Sequence, residues 1–183
     1  MGRTTVVVED LVFGDITITL DTGGGSVEVS GGWLPRTTLS RDPGATPTSW
    51  PPIGTSDPDL LSLTLGSEAE AEPPALSRGY VNRRAYTVRF PDGGGRTYRL
   101  VPYSETRSRL MRDKVVLGEL RVSPGGGHVT PAGWRTDSKV LPAEAALGYA
   151  LAVGLGTGGK DSEGAPSGGS VADAVLDILA AWP

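Results

Sequence analysis

Apolar and polar residues alternate through much of the chain, and the alternation predicts strands. Val6, Val7 and Val8 form an apolar β-branched run within residues 4–13. Residues 15–20 alternate strictly, with Ile16, Ile18 and Leu20 on one face and Thr17 and Thr19 on the other. After the turn DTGGG, Val27 and Val29 resume the period of two, which reads as a hairpin with a longer loop. Trp33 and Leu34 are expected on the core. Residues 35–58 are rich in proline, glycine, serine and threonine and read as a long surface loop, with Trp50 as an anchor. LLSLTL at 60–65 is a further strand, and residues 67–77, including SEAEAEPP, read as an acidic connection. That connection joins two halves of one fold or two small domains, and one domain is the favoured reading.

Residues 81–122 are the most regular. Tyr86, Val88 and Phe90 alternate with Ala85, Thr87 and Arg89, and Tyr98 and Leu100 alternate with Thr97, Arg99 and Val101. A short segment around Leu110 and Met111 leads to the turn Arg112-Asp113-Lys114. Val116, Gly118, Leu120 and Val122 follow on one face, and residues 129–134 add one more strand. Hairpins at this spacing make an antiparallel meander.

The period changes at PAEAALGYALAVGL, residues 142–155. Pro142 suits a first helical position, and the glycines from Gly154 onward suit a helix end. A helix so apolar on every side wants burial all round. At about 1.5 Å per residue it is roughly 20 Å long, too short to cross a bilayer. Residues 156–170 have the composition of a flexible linker. In 171–183, Val171, Val175, Ile178, Leu179 and Trp182 fall on one face of an amphipathic helix opened by a capping-box pattern at Ser170. The expected fold is mainly β: an antiparallel barrel or curved sheet in residues 1–155 enclosing the apolar helix, then a linker and a terminal amphipathic helix.

The chain has 183 residues, one domain by length, and no cysteine, so disulfides, thiolate metal sites and thiol nucleophiles are excluded. No signal-peptide pattern or membrane-length apolar run is visible, and a cytoplasmic location, peripheral at a membrane, is expected. The net charge of −4 conceals a division. Residues 1–77 carry three basic and eleven acidic side chains, a net −8, and residues 78–121 carry eleven and four, a net +7. The remainder carries three and six, a net −3. The plain explanation is mutual complementation or solvation of these segments.

Over residues 84–155 the meander AYTVRFPDGGGRTYRL is followed by ETRSRLMRDK and VLGELRV, then by a strand bearing Trp134 and the apolar helix. This order resembles the tubby C-terminal, scramblase and LURP-one-related superfamily, in which a closed β-barrel encloses a hydrophobic helix near the C-terminus. The resemblance implies a membrane-proximal or lipid-headgroup-binding module as often as an uncharacterised one. It transfers no site residue, because no binding motif matches position by position.

Catalytic chemistry finds little support. GLGTGGK at 154–160 fits phosphate-loop spacing, but its glycines follow a helix instead of preceding one, and Asp161 stands where a magnesium-binding hydroxyl belongs. The single histidine, His128, adjoins a triple glycine, a poor place to hold a catalytic base. A carboxylate-only enzyme needs two carboxylates to meet in space, which sequence spacing does not test. The expectation is a non-enzymatic binding module with no cofactor and no metal.

Its candidate ligand-binding residues are Arg83, Arg89, Arg99, Arg107, Arg109, Arg112 and Lys114. By strand parity Arg83, Arg89, Arg99 and Arg121 lie opposite the inward-facing Tyr86, Val88, Phe90, Tyr98, Leu100 and Leu120. Such a basic face suits an anionic lipid headgroup or membrane surface; the plainer alternative is a solvated face paired with acidic neighbours. Nucleic acid fits less well, since the chain is acidic overall and no aromatic residues interleave with the arginines as a stacking motif. The alternative function is a protein-interaction or assembly component whose terminal helix grips a partner through Val171, Val175, Ile178, Leu179 and Trp182.

Overall fold

Two antiparallel six-stranded meanders share one helix as their core. The structure, a computed structural model, describes residues 2–47, 52–54, 58–66, 69–71, 75–78, 84–89, 95–104, 106–123 and 128–156; of 58, 69–71, 75–78 and 84 it describes the backbone alone. The first sheet holds β1 (Arg3–Asp10), β2 (Gly14–Asp21), β3 (Ser26–Ser30), β4 (Thr37–Arg41), β5 (Leu61–Leu65) and β6 (Ala69–Ala71) in that order. The second holds β7 (Ala75–Arg78), β8 (Arg84–Arg89), β9 (Thr97–Pro102), β10 (Arg107–Arg112), β11 (Val115–Val122) and β12 (Val129–Trp134), also consecutive. Ladder pairing runs within each meander, and β1 packs beside β12.

Period-two patterning explains each sheet. Ile16, Ile18, Leu20, Val27, Val29, Leu39 and Leu63 turn inward from the first, and Tyr86, Val88, Tyr98, Leu100, Leu110 and Leu120 from the second. Between them lies α1 (Pro142–Leu155), twelve of whose 14 residues are buried. It touches β2, β3 and β4 on one side and β9 and β11 on the other, as a helix without a polar stripe requires. Two helical glycines set its distance from the sheets. A Cβ on Gly154 would lie 2.7 Å from Leu39 Cδ2 and 2.9 Å from Val27 Cγ1, and one on Gly148 would lie 3.0 Å from Leu110 Cδ2. No helix among the described residues is long and apolar enough to cross a membrane.

Four expectations are corrected. Residues 35–58 are not loop throughout: Thr37–Arg41 is a full strand, because Thr37 and Leu39 supply an inward pair between Pro35 and Pro43. The connection at 67–77 contains β6 and the first three residues of β7, strands of three and four residues, too short to show a period. Residues 107–112 form a complete strand, β10. Trp33 points to solvent while its neighbour Leu34 enters the core, because Gly31 and Gly32, both at positive φ, turn the chain before it. Trp50, Arg83, residues 157–170 and the terminal segment 171–183 lie outside the described residues.

One buried carboxylate ties the ends of the fold together. Asp10 closes β1 and is buried. Its Oδ1 accepts the Val12 and Phe13 N–H groups at 2.9 and 3.1 Å. Its Oδ2 accepts Trp134 Nε1–H at 2.9 Å and the Tyr149 hydroxyl at 2.6 Å. The Tyr149 oxygen also accepts the Ala132 N–H at 2.8 Å. Burial, reinforced by the bond to Asp10, pushes the Tyr149 hydroxyl far above its ordinary range, so it remains a donor. Trp134 meets Phe13 and Tyr149 edge to face, each at 6.0 Å. It lies over Gly118, where a Cβ would stand 2.5 Å from its ring.

Candidate anion-binding face of the second sheet

The charge division along the chain coincides with the division into sheets. Residues 3–71, which span the first sheet, hold three basic and ten acidic side chains, a net −7; residues 75–134, which span the second, hold eleven and four, a net +7.

Register decides which of the basic residues meet. Arg89 pairs with Thr97, Arg99 with Thr87 and Met111, Arg109 with Val101 and Glu119, and Arg107 with Arg121. Each step from Arg89 to Arg99, from Arg99 to Arg109 and from Arg109 to Arg121 is therefore diagonal between neighbouring strands. Diagonal neighbours lie about 7–8 Å apart, so the four arginines make a row roughly 20 Å long across β8–β11. Arg89, Arg109 and Arg121 are exposed and Arg99 is half-buried.

Like charges directly opposite one another destabilise a sheet, and Arg107 faces Arg121. Glu119 relieves the pair, its Oε1 lying 3.0 Å from Arg121 Nε and 3.7 Å from Arg107 Nη1. Partial burial pushes the Glu119 carboxyl up. Hydrogen bonds from Tyr103 and Arg121 and the Arg107 charge outweigh this and hold it below its ordinary value. Tyr103 also carries the Arg109 guanidinium over its ring, 4.7 Å from the centroid, which holds that cation in place. Its hydroxyl is pushed up by burial and by Glu119. Five arginines thus share the outer face with one carboxylate among the described residues. Planar guanidinium groups suit the paired oxygens of phosphate and carboxylate.

Of the expected ligand-binding residues, Arg89, Arg99, Arg107 and Arg109 come together, and Arg83 lies outside the described residues. Lys114 is exposed in the β10–β11 turn, beyond the row. Arg112 is a correction, because it shares strand parity with the inward Ser108 and Leu110. Its side chain is 21% exposed and pairs at 2.9 Å with Glu144, itself buried on the first turn of α1. Arg112 Nη2 also donates to the Ser138 carbonyl at 3.0 Å. Glu144 takes the Tyr98 hydroxyl at 3.2 Å on Oε1 and the Leu141 N–H at 2.9 Å on Oε2. This arrangement locks the helix start to β9 and β10 and offers no cation to a ligand.

Arg121 belongs to the row, while Tyr103 and Glu119 were not singled out from sequence. Outward parity was the available signal, since Tyr103 follows Arg99 and Val101, and Glu119 precedes Arg121. The expected partner-binding positions Val171, Val175, Ile178, Leu179 and Trp182 lie outside the described residues. No family model, curated protein or solved structure matches this chain.

Proposed function

We propose that the chain is a non-enzymatic binding module that presents the outer face of β8–β11 to an anionic surface, with anionic lipid headgroups as the ligand class. The diagonal arginine row carries this reading: the register aligns Arg89, Arg99, Arg109 and Arg121, with Glu119 paired opposite Arg109 within the row. Two consecutive six-strand meanders, the packing of β1 beside β12 and the buried helix support reading the fold as a barrel of the tubby, scramblase and LURP-one kind. A peripheral position on the cytoplasmic side of a membrane accords with this role.

The test is co-sedimentation with vesicles of anionic or neutral lipid at 10 and 150 mM salt, where the screening length falls from about 30 Å to about 8 Å. At about 1 kcal/mol per basic side chain, the triple variant Arg89→Gln, Arg99→Gln, Arg109→Gln should bind anionic vesicles roughly 100-fold more weakly. Equal binding by the variant, or no binding by the parent at low salt, would remove the proposal.

A further inference from the structure

The first sheet carries an apolar tip that the basic face does not account for. Its β1–β2 turn and the first residue of β2 read Leu-Val-Phe-Gly at 11–14, and its β3–β4 turn begins Gly-Gly-Trp-Leu-Pro at 31–35. These nine residues contain no polar side-chain atom except the indole nitrogen. The two turns abut: a Cβ on Gly31 would stand 2.8 Å from the Asp15 carbonyl oxygen, and one on Gly32 would collide with the Phe13 carbonyl. Each turn plants one apolar side chain in the core, Phe13 and Leu34. Each holds its others out: Leu11 is 95% exposed, Val12 60% and Trp33 81%. Exposed apolar groups gathered on adjoining turns mark an interaction site.

Three backbone donors of this tip are satisfied within the fold. Asp10 satisfies the Val12 and Phe13 N–H groups from within the fold, and the Leu34 N–H bonds the Gly31 carbonyl at 3.2 Å. A segment entering lipid must satisfy its backbone donors internally, whereas a water-facing turn need not. The side chains of Leu11, Val12 and Trp33 project from the turn ends. Tryptophan is the residue that places an apolar ring below the headgroups and an N–H among them.

We propose that Leu11, Val12 and Trp33 insert together into the interfacial layer of a lipid bilayer, as an anchor independent of net lipid charge. The anchor uses a different sheet and different forces from the arginine row, so each can fail alone.

The chain has no cysteine, so Leu11→Cys in the 183-residue chain gives a single attachment point for an environment-sensitive fluorophore. With neutral phosphatidylcholine vesicles at 500 mM salt, the label is expected to shift to the blue. The shift should survive Arg99→Gln with Arg109→Gln. Adding Val12→Ser with Trp33→Ser should raise the lipid concentration for half-maximal shift roughly 100-fold, each exposed apolar side chain contributing about tenfold. Circular dichroism checks that the variants fold, as substitution at such exposed sites permits. An unshifted label in every vesicle overturns the anchor. So does a shift that grows with protein concentration without lipid, which would assign the tip to a second copy of the chain. Binding to anionic vesicles with an unshifted label sinks the anchor and leaves the basic face standing. A shift on neutral vesicles with no added affinity for anionic lipid does the reverse.

Discussion

Tyr149→Phe removes one oxygen from the core and leaves the ring in place. That oxygen donates to Asp10 at 2.6 Å and accepts the Ala132 N–H at 2.8 Å. Losing a hydrogen bond to a charged group costs about 1.5–3 kcal/mol, and the orphaned buried N–H adds about 1–3 kcal/mol. The space vacated is that of one oxygen atom, so little cavity cost accompanies them. The expected loss is about 3–5 kcal/mol, a fall in Tm on the order of 10 °C for a chain of this size. Urea denaturation should show a lower midpoint with an unchanged slope. Because Asp10 also serves Trp134, Val12 and Phe13, the double variant with Asp10→Asn should lose clearly less than the sum of the single losses. A loss under about 1 kcal/mol, or full additivity, would show that the shared bond between helix and first strand does not hold the fold together in this way.

Gly154→Ala should destabilise by about 1–2 kcal/mol by urea titration: overpacking against Leu39 and Val27 outweighs the roughly 1 kcal/mol gain in helix propensity. Gly148→Ala, with a looser fit, should lie near zero. Arg112→Ala strands the buried Glu144 and should cost about 3 kcal/mol without weakening vesicle binding, whereas Arg109→Ala should weaken binding and leave Tm nearly unchanged. The folded-state pKa of Glu119 is lowered, so its contribution is fully present above the ordinary carboxylate pKa of about 4.3 and is lost as pH falls through the lower folded value. Glu119→Gln should therefore flatten the acid limb of a stability–pH curve, and an unchanged limb would count against its pairing.

Legibility followed the strength of each local pattern. The limits of α1 could be read because an apolar run lies between a proline and glycines, leaving no competing period. The outward arginines could be read because strand parity is robust. Grouping Arg112 with the turn at 113–114 misplaces it, although parity from Ser108 and Leu110 runs straight through it. The register shift opposite Leu110 and Met111 falls on β11, where Leu117 is the extra residue, so it leaves β10 in phase. Hydrophobicity alone places Trp33 inward and cannot show that two glycines at positive φ give the inward place to Leu34. Asp10 passed unnoticed because its partners Trp134 and Tyr149 lie 124 and 139 residues away, a separation that no local pattern encodes. The charge division was countable from the chain, but its meaning as two oppositely charged sheets required the topology.

The helix that fills the core is also the last described element to be synthesised. Each meander pairs only sequence neighbours, so its ladders can form early and at low loop-closure cost. Their inner faces nevertheless have nothing to cover them until residues 142–155 have left the ribosome. The Asp10–Tyr149 bond then closes a loop of 139 residues. Until that moment the nascent chain is two apolar-faced sheets, the kind of species that chaperones hold and that aggregates when unprotected. A chain stopped just before Pro142 would possess every described strand and still lack the helix that its two inner faces pack against.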